Sequence, residues 1–112
     1  MRILIADDDD MVRMVIREVL RTQGHALEEA RDGNEALKKA TAAKFDLILL
    51  DQHMPGLSGG EVAEFIRKQS PKTRVVILTG SSRREELEKL AGFSMLPKPF
   101  AAGELLSLVS AS

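Results

Sequence analysis

The sequence predicts an α/β fold in which helices cover both faces of one five-stranded parallel sheet. Short apolar runs alternate with amphipathic stretches along the whole chain. The apolar runs are continuous, as in strands that are buried on both faces of a parallel sheet. The 112 residues are the size of one domain, so we expect a single domain over residues 1–112.

The first half of the chain has the patterns of three strands and two helices. The strands are expected at Arg2–Ala6, His25–Ala30 and Phe45–Leu50. Apolar residues at helical spacing predict the first helix, and they are Val12, Val15, Ile16, Val19 and Leu20. Asp10 is its expected N-cap and Gly24 its expected stop. Asn34 is the expected cap of a second helix that ends at Ala43.

The second half predicts three helices and two strands after the loop QHMPGLSG. The helices are expected at Gly60–Gln69, Arg83–Ala91 and Ala102–Val109, and the strands at Arg74–Leu78 and Phe93–Leu96. Val62, Phe65 and Ile66 are expected to face the core. The fourth and fifth helices are expected to be short.

Composition excludes several classes of protein. Acidic and basic residues are nearly balanced, with a net charge of −1, which does not indicate a nucleic-acid-binding protein, so no direct nucleic-acid partner is expected. The absence of cysteine excludes disulfides and thiolate metal sites and fits a cytoplasmic location. Since no apolar run reaches about 18 residues, no membrane span is expected.

Side chains that could bind a metal or a phosphoryl group follow four of the five predicted strands, and the second strand leads to nothing comparable. Right-handed crossovers favour the strand order 2-1-3-4-5, and ligands of such sheets bind at the carboxyl ends of the strands. The first strand leads to Asp7 and Asp8, and the third leads to Asp51. The fourth ends at Thr79, and Lys98 follows the fifth. We therefore expect all five side chains to meet at one edge of the sheet.

This set of side chains suits phosphoryl transfer. Clustered carboxylates are tolerated when a hard cation such as Mg²⁺ neutralises them. Asp51 would be the nucleophile that forms an acyl phosphate, and Thr79 and Lys98 would hold the phosphoryl oxygens.

Four motifs resemble those of the response-regulator receiver domains of two-component signalling, over essentially the whole chain. They are ILIADDDD, DLILLDQHMPGLSG, VVILTGSS and LPKPF, which follow the expected strands in the order typical of the family. The resemblance implies a flavodoxin-like, CheY-like fold.

The resemblance also implies roles for the residues around the metal. Asp51 would be the phosphoacceptor, Asp8 would bind Mg²⁺ directly, and Asp7 would act mainly through water. The backbone carbonyl of His53 would be a further metal ligand. Asp9 would be a solvated charge near the site.

Other roles implied by the family concern the phosphoryl group and the switch. Thr79 would move to hydrogen-bond the phosphoryl group and Lys98 would pair with it, next to a Lys98–Pro99 peptide bond that is often cis. The side chains of His53 and Ser81 lie at positions that tune phosphoryl lifetime, although His53 also fits an exposed loop residue without a catalytic role.

The sequence departs from the family pattern where receivers usually signal. Met95 stands at the switch position, where most members carry an aromatic residue that rotates. The segment between Thr79 and Lys98 is about three residues shorter than is common, so the fourth helix is expected to be trimmed.

The resemblance implies a phosphoacceptor that is not a conventional enzyme. It would receive its phosphoryl group from a histidine kinase or a histidine phosphotransfer protein. It would contact a downstream protein through the face made by helix 4, strand 5 and helix 5. Both a free single-domain regulator and the receiver of a hybrid histidine kinase fit the sequence.

Two alternatives stay open. A pseudo-receiver would bind partners without phosphorylation. A phosphatase of the haloacid-dehalogenase kind shares the Asp nucleophile and Mg²⁺, but it places the nucleophile after its first strand.

Overall fold

The computed structural model describes residues 1–80 and 83–110. Its strands are β1 Arg2–Ala6, β2 Ala26–Ala30, β3 Leu47–Asp51, β4 Arg74–Thr79 and β5 Ser94–Pro97. Its helices are α1 Asp10–Arg21, α2 Gly33–Ala42, α3 Gly59–Gln69, α4 Arg84–Lys89 and α5 Ala102–Ser110. The five strands are all parallel in the order β2-β1-β3-β4-β5. The predicted fold class and strand order are confirmed.

The central strands alternate between two apolar cores, one on each face of the sheet. Ile3, Leu49 and Leu78 belong to the core that packs against α1 and α5. Their neighbours Leu4 and Leu50 belong to the core under α2 and α3. Because successive side chains of a strand point to opposite faces, a strand buried on both sides needs a continuous apolar run. For this reason the continuous apolar runs in the sequence correctly predicted strands.

Helix α1 begins one residue away from its predicted cap. Asp9, in an extended conformation, is the N-cap, and its carboxylate accepts a hydrogen bond of 2.9 Å from the N–H of Met11. Asp10 is instead the first helical residue and forms an ion pair with Arg13. The expectations of an Asp10 cap and of a merely solvated Asp9 are therefore wrong. Consecutive aspartates offer two equivalent caps, and the tight turn after β1 selects the first.

The cap of α2 also differs from the prediction. The Asp32 carboxylate accepts a hydrogen bond of 2.7 Å from the N–H of Glu35, so Asp32 and not Asn34 is the N-cap. The Glu35 carboxylate in turn accepts a hydrogen bond of 3.0 Å from the N–H of Arg31. These two bonds place the N-cap two residues before Asn34, and the helix begins at Gly33.

Phe65, which was expected to face the core, lies at the surface, and so does Val15, one of the apolar residues that predicted the first helix. Val15 is 50% exposed and Phe65 is 41% exposed. Each is directly followed by a buried isoleucine, Ile16 or Ile66. Since consecutive helical residues are about 100° apart, Val15 and Phe65 lie at the edge of the stripe that the buried isoleucines occupy.

The short fourth and fifth helices were predicted correctly. Helix α4 has six residues and α5 has nine. β3 begins two residues later than expected, at Leu47. The residue before it, Asp46, accepts a hydrogen bond from the N–H of Arg2 through its carboxylate. Among the described residues, no helix has the length and apolar character needed to cross a membrane.

Candidate functional site

The carboxyl ends of four strands bring the predicted side chains to one edge of the sheet. Asp7 directly follows β1, Asp51 is the last residue of β3, and Thr79 is the last residue of β4. Lys98 directly follows β5, where the register pairs Thr79 with Pro97. The expectation that these residues converge is confirmed.

Lys98 lies between two buried carboxylates. Its Nζ is 2.8 Å from Oδ2 of Asp7 and 3.2 Å from Oδ1 of Asp51. Its backbone N–H donates a hydrogen bond of 2.8 Å to the carbonyl oxygen of the buried Thr79. The Lys98–Pro99 peptide bond is cis, as the family resemblance predicted. The ammonium is thereby held at the point where β1, β3 and β5 end.

Burial and the neighbouring charges act on the acid–base properties of this group. Burial raises the pKa of Asp51, the negative charge of Asp7 adds to this effect, and Lys98 opposes it. Burial alone would lower the pKa of Lys98, but its hydrogen bond to Asp7 and the charge of Asp51 outweigh burial and raise it. The ammonium therefore stays charged beside a carboxylate that is costly to ionise.

Three carboxylates form a cluster that fits a hard cation. Asp7, Asp8 and Asp51 each offer one oxygen, and these oxygens lie within 4.8 Å of one another. Asp7 and Asp51 are buried, whereas Asp8 is exposed. Oδ1 of Asp7 accepts a hydrogen bond of 2.9 Å from the N–H of Asp9. An all-oxygen donor set of this charge matches Mg²⁺ rather than a softer metal.

The loop after β3 is anchored close to Asp51. A side chain at Gly59 would place its Cβ 2.5 Å from the backbone oxygen of Asp51, so only glycine allows α3 to begin here. Met54 is buried in the loop. The His53 imidazole lies outside, 63% exposed, and forms an ion pair of 3.2 Å with Glu86 of α4.

Two residues around the site were not singled out from the sequence. Arg13 of α1 is buried, and its guanidinium donates a hydrogen bond of 2.6 Å to the backbone oxygen of Asp7. Its spacing of three and seven residues from Ile16 and Leu20 places it on the buried stripe, which is a usable signal. No sequence pattern pointed to Glu86, because its partner His53 belongs to the loop after β3 and not to α4.

The remaining predicted positions lie beside the cluster. Met95 is half-buried and packs against the core under α2 and α3. Ser81 lies outside the described residues. The predicted role of the His53 carbonyl as a metal ligand stays a prediction.

Comparison with known proteins shows the family. The family model "Response regulator receiver domain" matches residues 3–110. The chain is 36% identical to the transcriptional regulatory protein ResD of Bacillus subtilis, over 98% of this chain and 47% of ResD. It is 39% identical to the response regulator MprA of Mycobacterium avium, over 99% of this chain and 50% of MprA. The chain thus spans about half the length of these curated relatives.

A solved structure agrees with the sequence relatives. The response regulator TrrA of Thermotoga maritima, in complex with Mg²⁺ and beryllofluoride, superimposes with a TM-score of 0.86 at 38% identity. The match covers 96% of this chain and 95% of TrrA. Sequence, strand order and the cluster at the sheet edge agree, and the chain therefore belongs to the family of response-regulator receiver domains.

Proposed function

We propose that the protein accepts a phosphoryl group on Asp51 in a Mg²⁺-dependent reaction and thereby switches the binding of a partner. The observation that carries the proposal is the position of Lys98, whose ammonium lies within 3.2 Å of both Asp7 and Asp51. A buried carboxylate held between a cation and two further carboxylates is suited to attack an electrophile that arrives with a metal ion.

The residues that would hold the metal are Asp7, Asp8, Asp51 and the backbone carbonyl of His53. The charge and oxygen donors of the carboxylate cluster support this assignment. When bound there, Mg²⁺ offsets the repulsion between the carboxylates and the phosphoryl oxygens. The TrrA complex with Mg²⁺ and beryllofluoride supports the same chemistry in a relative.

The phosphoryl donor would be a phosphohistidine of a histidine kinase or of a histidine phosphotransfer protein. An oxygen of Asp51 forms the new bond to phosphorus while the phosphorus–nitrogen bond of the donor breaks. The imidazole nitrogen keeps the electron pair and takes a proton from solvent. Lys98 pairs with the phosphoryl oxygens, and the Thr79 hydroxyl donates a hydrogen bond to them.

Output would use the face made by α4, β5 and α5, with Met95 as the switch position. His53 and Ser81 would tune the lifetime of the phosphoryl group. With a net charge of −1, residues 1–112 would make no direct contact with nucleic acid. A chain without cysteine suits the reducing cytoplasm, where we place the transfer. Both a single-domain regulator and a receiver within a hybrid kinase are compatible with this function.

Beryllofluoride, which mimics a phosphoryl group on a carboxylate, tests the site. Fluorine NMR of the wild type should show a bound beryllofluoride signal that needs Mg²⁺. The signal should vanish in Asp51→Asn and persist in Asp46→Asn, a change at the residue that precedes the other end of β3. Absence of a bound signal in the wild type would contradict the proposal and favour a pseudo-receiver. Steady turnover of p-nitrophenyl phosphate would instead favour a phosphatase.

A further inference from the structure

The ion pair between His53 and Glu86 joins the loop after Asp51 to helix α4. The distance from Nε2 of His53 to Oε1 of Glu86 is 3.2 Å. The carboxylate is the less exposed partner, at 28% against 63% for the imidazole. Either an imidazolium or a neutral ring that carries its proton on Nε2 can make this contact.

The backbone that carries His53 is fixed independently of Glu86. The N–H of Gly59 donates a hydrogen bond of 3.1 Å to the carbonyl of Gln52. The side-chain oxygen of Gln52 accepts a hydrogen bond of 2.7 Å from the N–H of Gly60. Met54, on the other side of His53, is buried. Since residues on both sides are anchored, the contact with Glu86 governs the orientation of the imidazole rather than the course of the loop.

Helix α4 is a weak element by itself. It has six residues, and none of them is buried in the described structure. Isolated helices of this length are unstable in water, because nucleation is costly. The C-cap of α4, Leu90, is buried in the apolar core, and the contact between Glu86 and His53 adds a polar tie to the phosphoacceptor loop.

We propose that Glu86 is a positioning residue for phosphoryl loss from Asp51, acting through His53. This inference rests on the proposed function, because it concerns what controls the loss of the phosphoryl group from the same site. By accepting a hydrogen bond from Nε2, Glu86 leaves Nδ1 of His53 as an acceptor for a water molecule. That water forms a bond to phosphorus, and the bond between phosphorus and the Asp51 oxygen breaks. The carboxylate leaves with the electron pair, and the proton of the water passes to solvent through phosphate.

The contact between His53 and Glu86 also lets the phosphorylation site and helix α4 influence each other. If the position of α4 changes the affinity of the site for a phosphoryl-mimicking ligand, occupancy of the site must bias the position of α4 by the same free energy. A partner that holds α4 in place would then change phosphoryl lifetime. This link does not require an aromatic residue at the position of Met95.

The contact is tested first without phosphorylation, in the full chain. Nitrogen-15 NMR of the imidazole at pH 8 should show His53 more completely in the Nε2–H form in the wild type than in Glu86→Ala. Glu86→Gln keeps an oxygen acceptor and should stay close to the wild type. Glu85→Ala alters an exposed neighbour on α4 and should change nothing. Identical spectra for wild type and Glu86→Ala would overturn the inference.

The rate of phosphoryl loss tests the consequence. We expect Glu86→Ala to lose its phosphoryl group about two- to fivefold more slowly than the wild type, the range typical of an exposed ion pair. The change should disappear in the His53→Ala background, because the two residues act through one contact. Glu86→Gln should differ from the wild type by less than about twofold.

The outcomes separate this inference from the proposed function. A wild type that accepts no phosphoryl group contradicts the proposed function and the inference together. A wild type that accepts the group, but loses it at the same rate as Glu86→Ala, contradicts the inference alone. An equal effect of Glu86→Ala with and without His53 also contradicts it.

Discussion

At the scale of single residues, Lys98 holds together a site that would otherwise repel itself. Its side chain is 24% exposed, and its ammonium contacts Asp7, whose side chain is fully buried. Removing one partner of such a pair leaves an uncompensated buried charge, which costs more than an exposed ion pair is worth. The residue that would bind phosphoryl oxygens is thus also a residue that stabilises the unphosphorylated fold.

We therefore expect Lys98→Met to lower the free energy of unfolding by about 1–3 kcal/mol in EDTA. Urea unfolding followed by circular dichroism measures this. Lys68→Met, a change of an exposed lysine on α3, is the matched control and should cost less than about 0.5 kcal/mol. Equal unfolding midpoints for the two variants would show that Lys98 does not balance the buried carboxylates.

Asp51 has the opposite effect to Lys98 on the stability of the fold. Burial and the charge of Asp7 raise its pKa, so ionisation of Asp51 destabilises the folded state relative to the unfolded chain. The penalty is absent below the usual pKa of the carboxyl, grows as the pH rises towards the raised value, and is constant above it. Asp51→Asn should therefore be more stable than the wild type at pH 7.5 in EDTA. Urea unfolding between pH 3 and pH 7.5 should show that the stabilities of the wild type and of Asp51→Asn converge at low pH. A difference that stays constant with pH would contradict ionisation of Asp51 as the cause.

At the scale of secondary-structure elements, Arg13 joins α1 to the strands beside the site. Its guanidinium contacts the backbone oxygen of Asp7, Glu29 of β2 and Asp10 of its own helix. Arg17, one turn later, is 40% exposed and pairs with the same Glu29. The buried arginine therefore positions the acidic turn after β1, whereas the exposed arginine is peripheral.

Truncation of the two arginines should give unequal results. Arg13→Ala leaves Glu29 and the Asp7 carbonyl without a buried donor, and we expect a loss of about 2–4 kcal/mol in stability. Arg17→Ala should cost less than about 1 kcal/mol, as is usual for exposed pairs. Chemical unfolding of both variants checks this, and equal losses would mean that Arg13 does not anchor the turn.

Element ends were the least predictable part of the fold. The strand cores could be read from continuous apolar runs, because a parallel sheet buries both faces. The caps of α1 and α2 were misplaced by one or two residues, because Asp9 and Asp10, or Asp32 and Asn34, are all chemically able to cap. The choice depends on the direction in which the chain leaves the preceding strand, and sequence spacing does not contain that direction.

At the scale of the whole molecule, strand order makes the site. Parallel strands in the order β2-β1-β3-β4-β5 put the ends of β1 and β3 side by side. The location of the polar residue at the end of each apolar run then follows from the strand order. Asp7, Asp51, Thr79 and Lys98 were predictable for this reason. The contacts of Arg13 and Glu86 were not, because each depends on how a helix packs rather than on where a strand ends.

Mg²⁺ should stabilise the whole fold through this site. A ligand that binds only the folded chain at ten times its dissociation constant adds about 1.4 kcal/mol. Thermal unfolding with and without Mg²⁺ measures this gain, which Asp8→Asn should largely abolish. Asp10→Asn removes the same charge from a residue outside the carboxylate cluster and should keep the gain. Loss of the gain in both variants would indicate nonspecific charge screening.

The most direct test is phosphorylation of the protein by acetyl phosphate, followed by intact mass. With Mg²⁺, the wild type should gain the mass of one phosphoryl group, and neither Asp51→Asn nor the wild type in EDTA should gain it. An adduct that persists in Asp51→Asn, or that forms equally well in EDTA, would contradict Mg²⁺-dependent phosphoryl transfer to Asp51.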